Sequence, residues 1–275
     1  MAIRRGLKMA LIYAVLIIGA CISVFPYVWA VLTSLKPAND VFGAGFLGLP
    51  SHFEWSNYTH VFTSVPLLRY LLNTFLVAIC SVLGQLIFGS LAAYAFARMR
   101  FRGKNIIFLG YLSTLMIPNI VTLIPLFILI KQLGWINTYY GLIAPTALGT
   151  PVGIFLLRQF FLTIPVELEE AMRIDGAGVM RIFAQLILPL SKPILATLAI
   201  ITFVASWNNF LWPLIVTNSD NMKLISVGIA SFQLQYGAQW NYMMAAATIA
   251  LLPLIILFIV FQRRIIESIQ ITGLK

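Results

Sequence analysis

Residues 167–193 read ELEEAMRIDGAGVMRIFAQLILPLSKP. Three glutamates, an aspartate and two glycines stand here between long apolar runs. The rest of the chain is mostly oil: of its 275 residues, 61% are hydrophobic and 9% charged. Soluble domains carry about 45–50% apolar and about 25% charged residues. A chain this apolar cannot cover a water-facing surface, so its solvent is lipid. Crossing the hydrocarbon takes roughly 20 mostly apolar residues. Six runs meet that length, near 9–35, 67–97, 105–130, 141–161, 193–216 and 241–261. Backbone groups in lipid must bond internally, which permits helices or a closed barrel. Continuous rather than alternating apolar runs select helices. The expected fold is an all-α membrane protein: one transmembrane domain over 1–275, with six transmembrane helices and a polar break at 162–192 between helices 4 and 5.

Basic residues set the orientation. With the N-terminus inside, so are Arg4, Arg5 and Lys8, then Arg98, Arg100, Arg102 and Lys104. Arg158, Arg173, Arg181, Lys192, Arg263, Arg264 and Lys275 follow on the same side. Of the 18 basic residues only Lys36, Arg69, Lys131 and Lys223 fall outside. The positive-inside rule places both termini, and the 162–192 segment, in the cytoplasm. The net charge of +10 is then a topology signal rather than a nucleic-acid footprint. Ile18-Gly19-Ala20-Cys21 loosely resembles a lipoprotein cleavage box, but the apolar run continues through SVFPYVWAVL, which reads as an uncleaved first helix.

Loops read as connectors, with one exception. Residues 36–66 form the largest outer loop and 217–240 a second; RMRFRGK at 98–104 reads as a plain basic inner turn. The exception is 162–192. Pro165 suits a helix start, and Glu167, Glu169 and Glu170 complement the positive end of a helix. Leu168, Ala171, Met172 and Asp175 share a face by helical spacing. Gly176 and Gly178 permit a reversal, and VMRIFAQLIL forms a second amphipathic stretch before Pro189. A helix, turn and helix lying on the inner membrane face serves either as a partner-docking element or as an ordinary interfacial pair.

PVELEEAMRIDGAGVMRIFAQLILPLSKP resembles the cytoplasmic signature of binding-protein-dependent ABC import permeases. Its Glu170-Ala171-Met172, Gly176-Ala177 and Ile187-Leu188-Pro189 resemble the family's Glu-Ala-Ala, glycine and Ile-x-Leu-Pro pattern, with Met172 in place of the third small residue and Leu186 at the isoleucine position. RQFF at 158–161, IDGA at 174–177 and WNNFLWP at 207–213 are similar to the carbohydrate uptake branch, and to its second, MalG-type permease subunit. The resemblance implies a coupling helix docked on a separate cytoplasmic ATPase. Glu170, Ala171, Met172, Asp175, Gly176, Ala177, Leu188 and Pro189 carry that contact. It also implies a second permease subunit, two copies of the ABC ATPase, and an extracytoplasmic solute-binding protein, in a bacterial or archaeal cytoplasmic membrane. The implied cargo is a sugar or oligosaccharide, with glycerol phosphate or a related polyol ester as the alternative.

Other residues leave alternatives open. Asn73, Gln85, Asn208 and Asn209 either face an aqueous path or staple helices together. By resemblance, the outer loop before the last helix reaches the binding protein, which points to Gln235, Tyr236, Gly237 and Gln239; otherwise it is a plain connector. The sequence has no GxxxxGK(S/T) phosphate loop. ATP and Mg are therefore expected on the partner ATPase, with no cofactor, metal or catalytic constellation in this chain. A proton-coupled secondary carrier usually needs an ionisable group at a span centre. None is found here, which disfavours a stand-alone transporter; a membrane enzyme would lack acid–base groups in the bilayer.

Overall fold

The computed structural model describes residues 2–43, 48–235 and 239–272, with side chains within 8–42, 48–232 and 239–262. Among the described residues there is no strand. The helices are α1 (Ala2–Ser34), α2 (Asp40–Gly43), α3 (Ser56–Ser64), α4 (Leu67–Arg98) and α5 (Lys104–Ser113). They continue as α6 (Asn119–Gln132), α7 (Tyr139–Ala147), α8 (Pro151–Thr163), α9 (Val166–Ile174) and α10 (Val179–Ile182). The last are α11 (Leu188–Leu190), α12 (Lys192–Trp207), α13 (Leu211–Val216), α14 (Ile225–Gln235) and α15 (Trp240–Thr272).

Among the described residues, four helical stretches are long and apolar enough to cross a membrane: Lys8–Ser34, Leu67–Arg98, Tyr139–Thr163 and Trp240–Gln262. Two further stretches reach that length only as sharply bent helix pairs. Lys104–Met116 and Asn119–Gln132 meet at 107°, and Val179–Leu190 and Lys192–Trp207 meet at 77°. The run at 105–130, read from sequence as one span, is therefore sharply broken. Pro118 is the physical reason: it has no N–H to donate, and it drives Ile117 into extended backbone (φ −86, ψ 118). The run at 193–216 also divides, at Asn208–Phe210, into α12 and α13. Both segments read as outer loops carry helix: α3 in the first, α14 in the second.

The chain packs as two compact units. The first comprises the chain up to Leu68 and Gly228–Pro253. Here Asn57 Nδ2 donates to the carbonyls of Ser34 and Lys36, both at 2.9 Å, satisfying groups at the end of α1. Asn241 Nδ2 donates to Asn57 Oδ1 at 3.0 Å, and the His60 and Tyr242 rings stack at 4.1 Å. Thus α3 ties the end of α1 to the start of α15. Over Lys8–Val28 this first helix is exposed within the chain, and burial begins only at its end, where Thr33 and Ser34 are closed off.

The second unit comprises Arg69–Val227 and the chain from Leu254. Its centre is the α4–α7–α8 contact. The Tyr139–Thr163 span is interrupted at Leu148–Thr150, and the freed backbone groups are met from neighbouring elements, as lipid requires. Gln85 Oε1 accepts from Thr150 N–H at 2.7 Å, and Tyr111 O–H donates to Gly149 C=O at 2.8 Å. Hydroxyl caps start both halves: Thr138 accepts from Gly141 N–H and Thr150 from Gly153 N–H.

At one end of this unit Asn73, almost fully buried, is committed to the chain's own backbone. Its Nδ2 donates to Asn221 C=O at 2.8 Å and Lys223 C=O at 3.1 Å, while its Oδ1 accepts from Tyr139 O–H at 2.7 Å. Nearby, Lys223 Nζ donates to Asp220 Oδ1 at 2.6 Å, and this bond holds the Asp220 carboxyl below its ordinary range. Asn73→Ala removes the partner of Lys223 C=O and of Tyr139 O–H, while Asn221 C=O keeps Arg69 Nε at 3.0 Å. The expected cost is ~1–3 kcal/mol, read as a lower thermal midpoint of the purified protein in detergent. Unchanged stability with altered transport would instead make Asn73 a path residue.

Candidate functional site

Helix α8 ends at Thr163 because Ile164 precedes Pro165 and is held extended (φ −72, ψ 128). Pro165 then opens α9, with Glu167 and Glu169 in its first turn. Its other end is closed by a pair of backbone bonds: Gly176 N–H to Arg173 C=O at 3.0 Å, and Ala177 N–H to Met172 C=O at 2.9 Å. This is the Schellman arrangement, which needs a left-handed residue at its apex. Gly176 supplies it with φ +79. Gly178 is different: its φ of −73 and ψ of 166 are open to any residue, so the reversal rests on Gly176 alone.

The predicted coupling residues divide into two sets. Glu170, Ala171, Asp175, Gly176 and Pro189 are exposed. Met172, Ala177 and Leu188 are half-buried against a core of Ala93, Tyr94, Phe161, Ile182, Phe183 and Ile187. So Met172 faces the bundle, while Leu168, Ala171 and Asp175 face away; the shared face expected from spacing is split. The outward surface is apolar at its edge, with Ile174 87% and Met180 64% exposed. Beyond the turn, α10 continues through a π-type turn at Phe183–Ile187 into α11. Buried Ile182, Phe183 and Ile187 anchor that second stretch.

Sequence reasoning misses two residues here. The carboxylate that joins α9 to the bundle is Glu169, while its neighbour Glu170 is exposed. Its side chain is 3% exposed, and its Oε1 lies 3.0 Å from Arg98 Nε. The two meet as charges rather than through an aligned N–H···O bond. Arg173 adds a looser contact at 3.9 Å. Arg98 Nη2 also donates to Phe161 C=O at 2.6 Å and to Ile164 C=O. One guanidinium therefore sits at the ends of α4 and α8 and at the start of α9. The Glu169–Arg173 spacing is legible as a helical pair. Arg98 is not, because nothing local links it to α9.

Nor is the 98–104 stretch a plain turn. Lys104 Nζ donates to Ala97 C=O at 3.2 Å and Met99 C=O at 3.1 Å. Arg158 Nε donates to Phe96 C=O at 3.1 Å, with its guanidinium 4.1 Å from the Phe108 ring centroid. Cations at helix C-termini meet unpaired carbonyls and the negative end of the dipole. Tyr94, Arg98, Arg100, Lys104, Glu169, Glu170 and Arg173 line a cleft between this stretch and α9.

The remaining predicted residues are scattered. Gln85 is fully buried and joins α4 to Thr150. Asn208 is exposed and its Nδ2 donates to Val204 C=O at 2.9 Å, while Asn209 C=O accepts from Ser226 O–H at 2.7 Å. Both sit at the α12–α13 break. Gln235 ends α14, and Gln239 is exposed with its carbonyl accepting from Met243 N–H at 3.2 Å. Tyr236 and Gly237 lie outside the described residues.

This arrangement has relatives. The chain is 37% identical over 259 residues to the arabinooligosaccharides transport system permease protein AraQ of Halalkalibacterium halodurans, covering 93% of this chain and 92% of that one. It is 36% identical to the sn-glycerol-3-phosphate transport system permease protein UgpE of Yersinia pestis, covering 97% of each. It is 31% identical to the diacetylchitobiose uptake system permease protein NgcG of Streptomyces coelicolor, covering 95% of this chain and 87% of that one. A chain in the crystal structure of a bacterial ABC transporter that imports the acidic polysaccharide alginate shares the fold, with TM-score 0.81 and 24% identity over 94% of this chain and 97% of that one. Residues 85–270, which contain the α9 turn and the Arg98–Glu169 pair, match the family model described as the binding-protein-dependent transport system inner membrane component, and the chain belongs to that family.

Proposed function

We propose that this permease subunit admits a polyhydroxylated solute, a sugar or oligosaccharide first and a glycerol phosphate second, delivered by an extracytoplasmic binding protein. One observation carries the mechanical half of this reading. Helix α9 is exposed along Glu170, Ala171 and Ile174, yet it is closed by a fixed turn and tied to the bundle on its other side. A helix that is free outward and rigidly held inward can receive a push and pass it on. In this reading a separate ATPase, present in two copies with ATP and Mg, supplies the push, and a second permease subunit completes the path. Ala171 lets the ATPase approach closely, and Glu170 and Asp175 offer it negative charge. Both termini and α9 lie in the cytoplasm. The names of the three relatives favour the solute class, since each denotes a molecule dense in hydroxyls. Asn208 and Asn209, at a helix break, are the groups we assign to the path.

The deciding experiment is purification of the whole complex in nanodiscs with its binding protein. ATP hydrolysis is then measured against a panel of arabinotriose, diacetylchitobiose and sn-glycerol 3-phosphate. Stimulation by the first two marks a carbohydrate importer, and stimulation by the third alone moves the cargo to the alternative. A chain that purifies without any ATPase subunit sinks the reading.

The outer face gives a second test. Gln235 and Gln239 flank Tyr236 and Gly237 in the connection between α14 and α15. Glutamine amides both donate and accept, as sugar hydroxyls do. Replacing 235–239 by a Gly/Ser run is expected to leave insertion and ATPase assembly intact while weakening stimulation by loaded binding protein. Wild-type stimulation would leave this segment a connector only.

A further inference from the structure

We infer that Arg98 and Glu169 are positioning residues that make α9 and the α4–α8 end of the bundle one rigid body, so that movement imposed on α9 is carried directly into α4. The inference rests on the coupling reading above.

Three observations place the pair in that role. Both side chains are nearly closed to solvent, 10% and 3% exposed, so their attraction is poorly screened. Glu169 stands at the start of α9, on the side opposite the exposed Ala171–Ile174 surface. Arg98 is the last residue of α4 and also holds the carbonyls of Phe161 and Ile164 at the end of α8. Without it, α9 would hang from α8 by the single extended residue Ile164 and Pro165. Apolar contacts through Met172 and Ala177 hold the far end of α9, but such contacts can slide. The guanidinium, carried by α4 and engaged with both the end of α8 and the start of α9, resists both sliding and tilting. Lysine has neither the fork nor the reach to replace it.

The test is a distance measurement in the assembled complex. Cys21 and Cys80 are first replaced by Ser, and spin labels are placed at Leu83→Cys on α4 and Ile174→Cys on α9, both exposed positions. Spectra are recorded without nucleotide and with ATP and vanadate. The background protein should give one narrow distance, unchanged between the two states. Glu169→Gln keeps the shape of the carboxylate but removes its charge, and is expected to broaden the distribution in both states. Arg98→Met/Glu169→Met leaves no unpaired buried charge, which keeps the fold, and is expected to broaden it too.

Wild-type distances in both variants would overturn the inference. So would a background distance that changes with nucleotide, because α9 would then be moving against α4. Failure of both variants to assemble would assign the pair to folding and also overturn it. The coupling reading fails separately, if a label at Ile174 shows no approach to the ATPase in either state.

Discussion

Gly176→Val is expected to insert normally and to lose most uptake. No heavy atom lies within 4 Å of a Cβ built at Gly176, so the turn itself is not crowded. The cost is in the backbone. With φ at +79, a β-branched residue sits in a region it strongly resists. Strain of this type costs ~1–3 kcal/mol. Confined to one equilibrium, it lowers the population of the closed turn by about 5- to 150-fold. The bonds lost are Gly176 N–H to Arg173 and Ala177 N–H to Met172, which fix where α9 stops and where α10 begins. The buried residues Ile182, Phe183 and Ile187 should keep the bundle folded meanwhile. A series separates two causes. Asparagine tolerates left-handed backbone, so Gly176→Asn should retain uptake if the turn matters, and lose it if bulk at a docking surface matters. Gly176→Ala should fall between Asn and Val. The readouts are uptake, membrane expression and co-purification of the ATPase. Normal uptake by the Val variant with undiminished co-purification would remove this turn from the mechanism.

That turn is legible in the amino-acid sequence, and the reason is local. Acidic residues, a helical face and then a glycine are all read from neighbours along the chain, and the Schellman bonds join residues within five positions of each other. The apolar runs are legible for the same reason, since each satisfies its own backbone. What escapes is non-local or a matter of degree. Arg98 meets α9 only after three elements converge. Gln85 reads as a polar residue in a span until Thr150 N–H is seen to need an acceptor. Pro118 is visible, but a proline in an apolar run marks a kink without its angle. The angle here is 107°. The family pattern marks Glu170 rather than Glu169, whereas burial, which distinguishes the two, has no signature one residue apart.

Close backbone approach is the other property hidden from sequence, and it yields the second large effect. Gly84→Val should destabilise the second unit by about 3 kcal/mol, the upper end of ordinary overpacking. A Cβ at Gly84 would lie 2.4 Å from Ala147 Cβ and 2.8 Å from both its Cα and its carbonyl oxygen. Two of those atoms are backbone, so no rotamer change relieves the clash, and α4 and α7 must separate. Gly153 gives the contrast. Its Cβ would meet Gln85 Nε2 at 1.9 Å and Cδ at 2.9 Å, which are side-chain atoms. Gly153→Ala should therefore be costly alone and much less so in a Gln85→Ala background, a non-additivity expected for touching residues. No side-chain deletion should rescue Gly84→Val. Gly110, with nothing within 4 Å, serves as the control, and Gly110→Val should express like wild type. The measurements are thermal midpoint and monodispersity of the purified permease in detergent. Gly84→Val protein with a wild-type midpoint would mean that α4 and α7 do not approach as described.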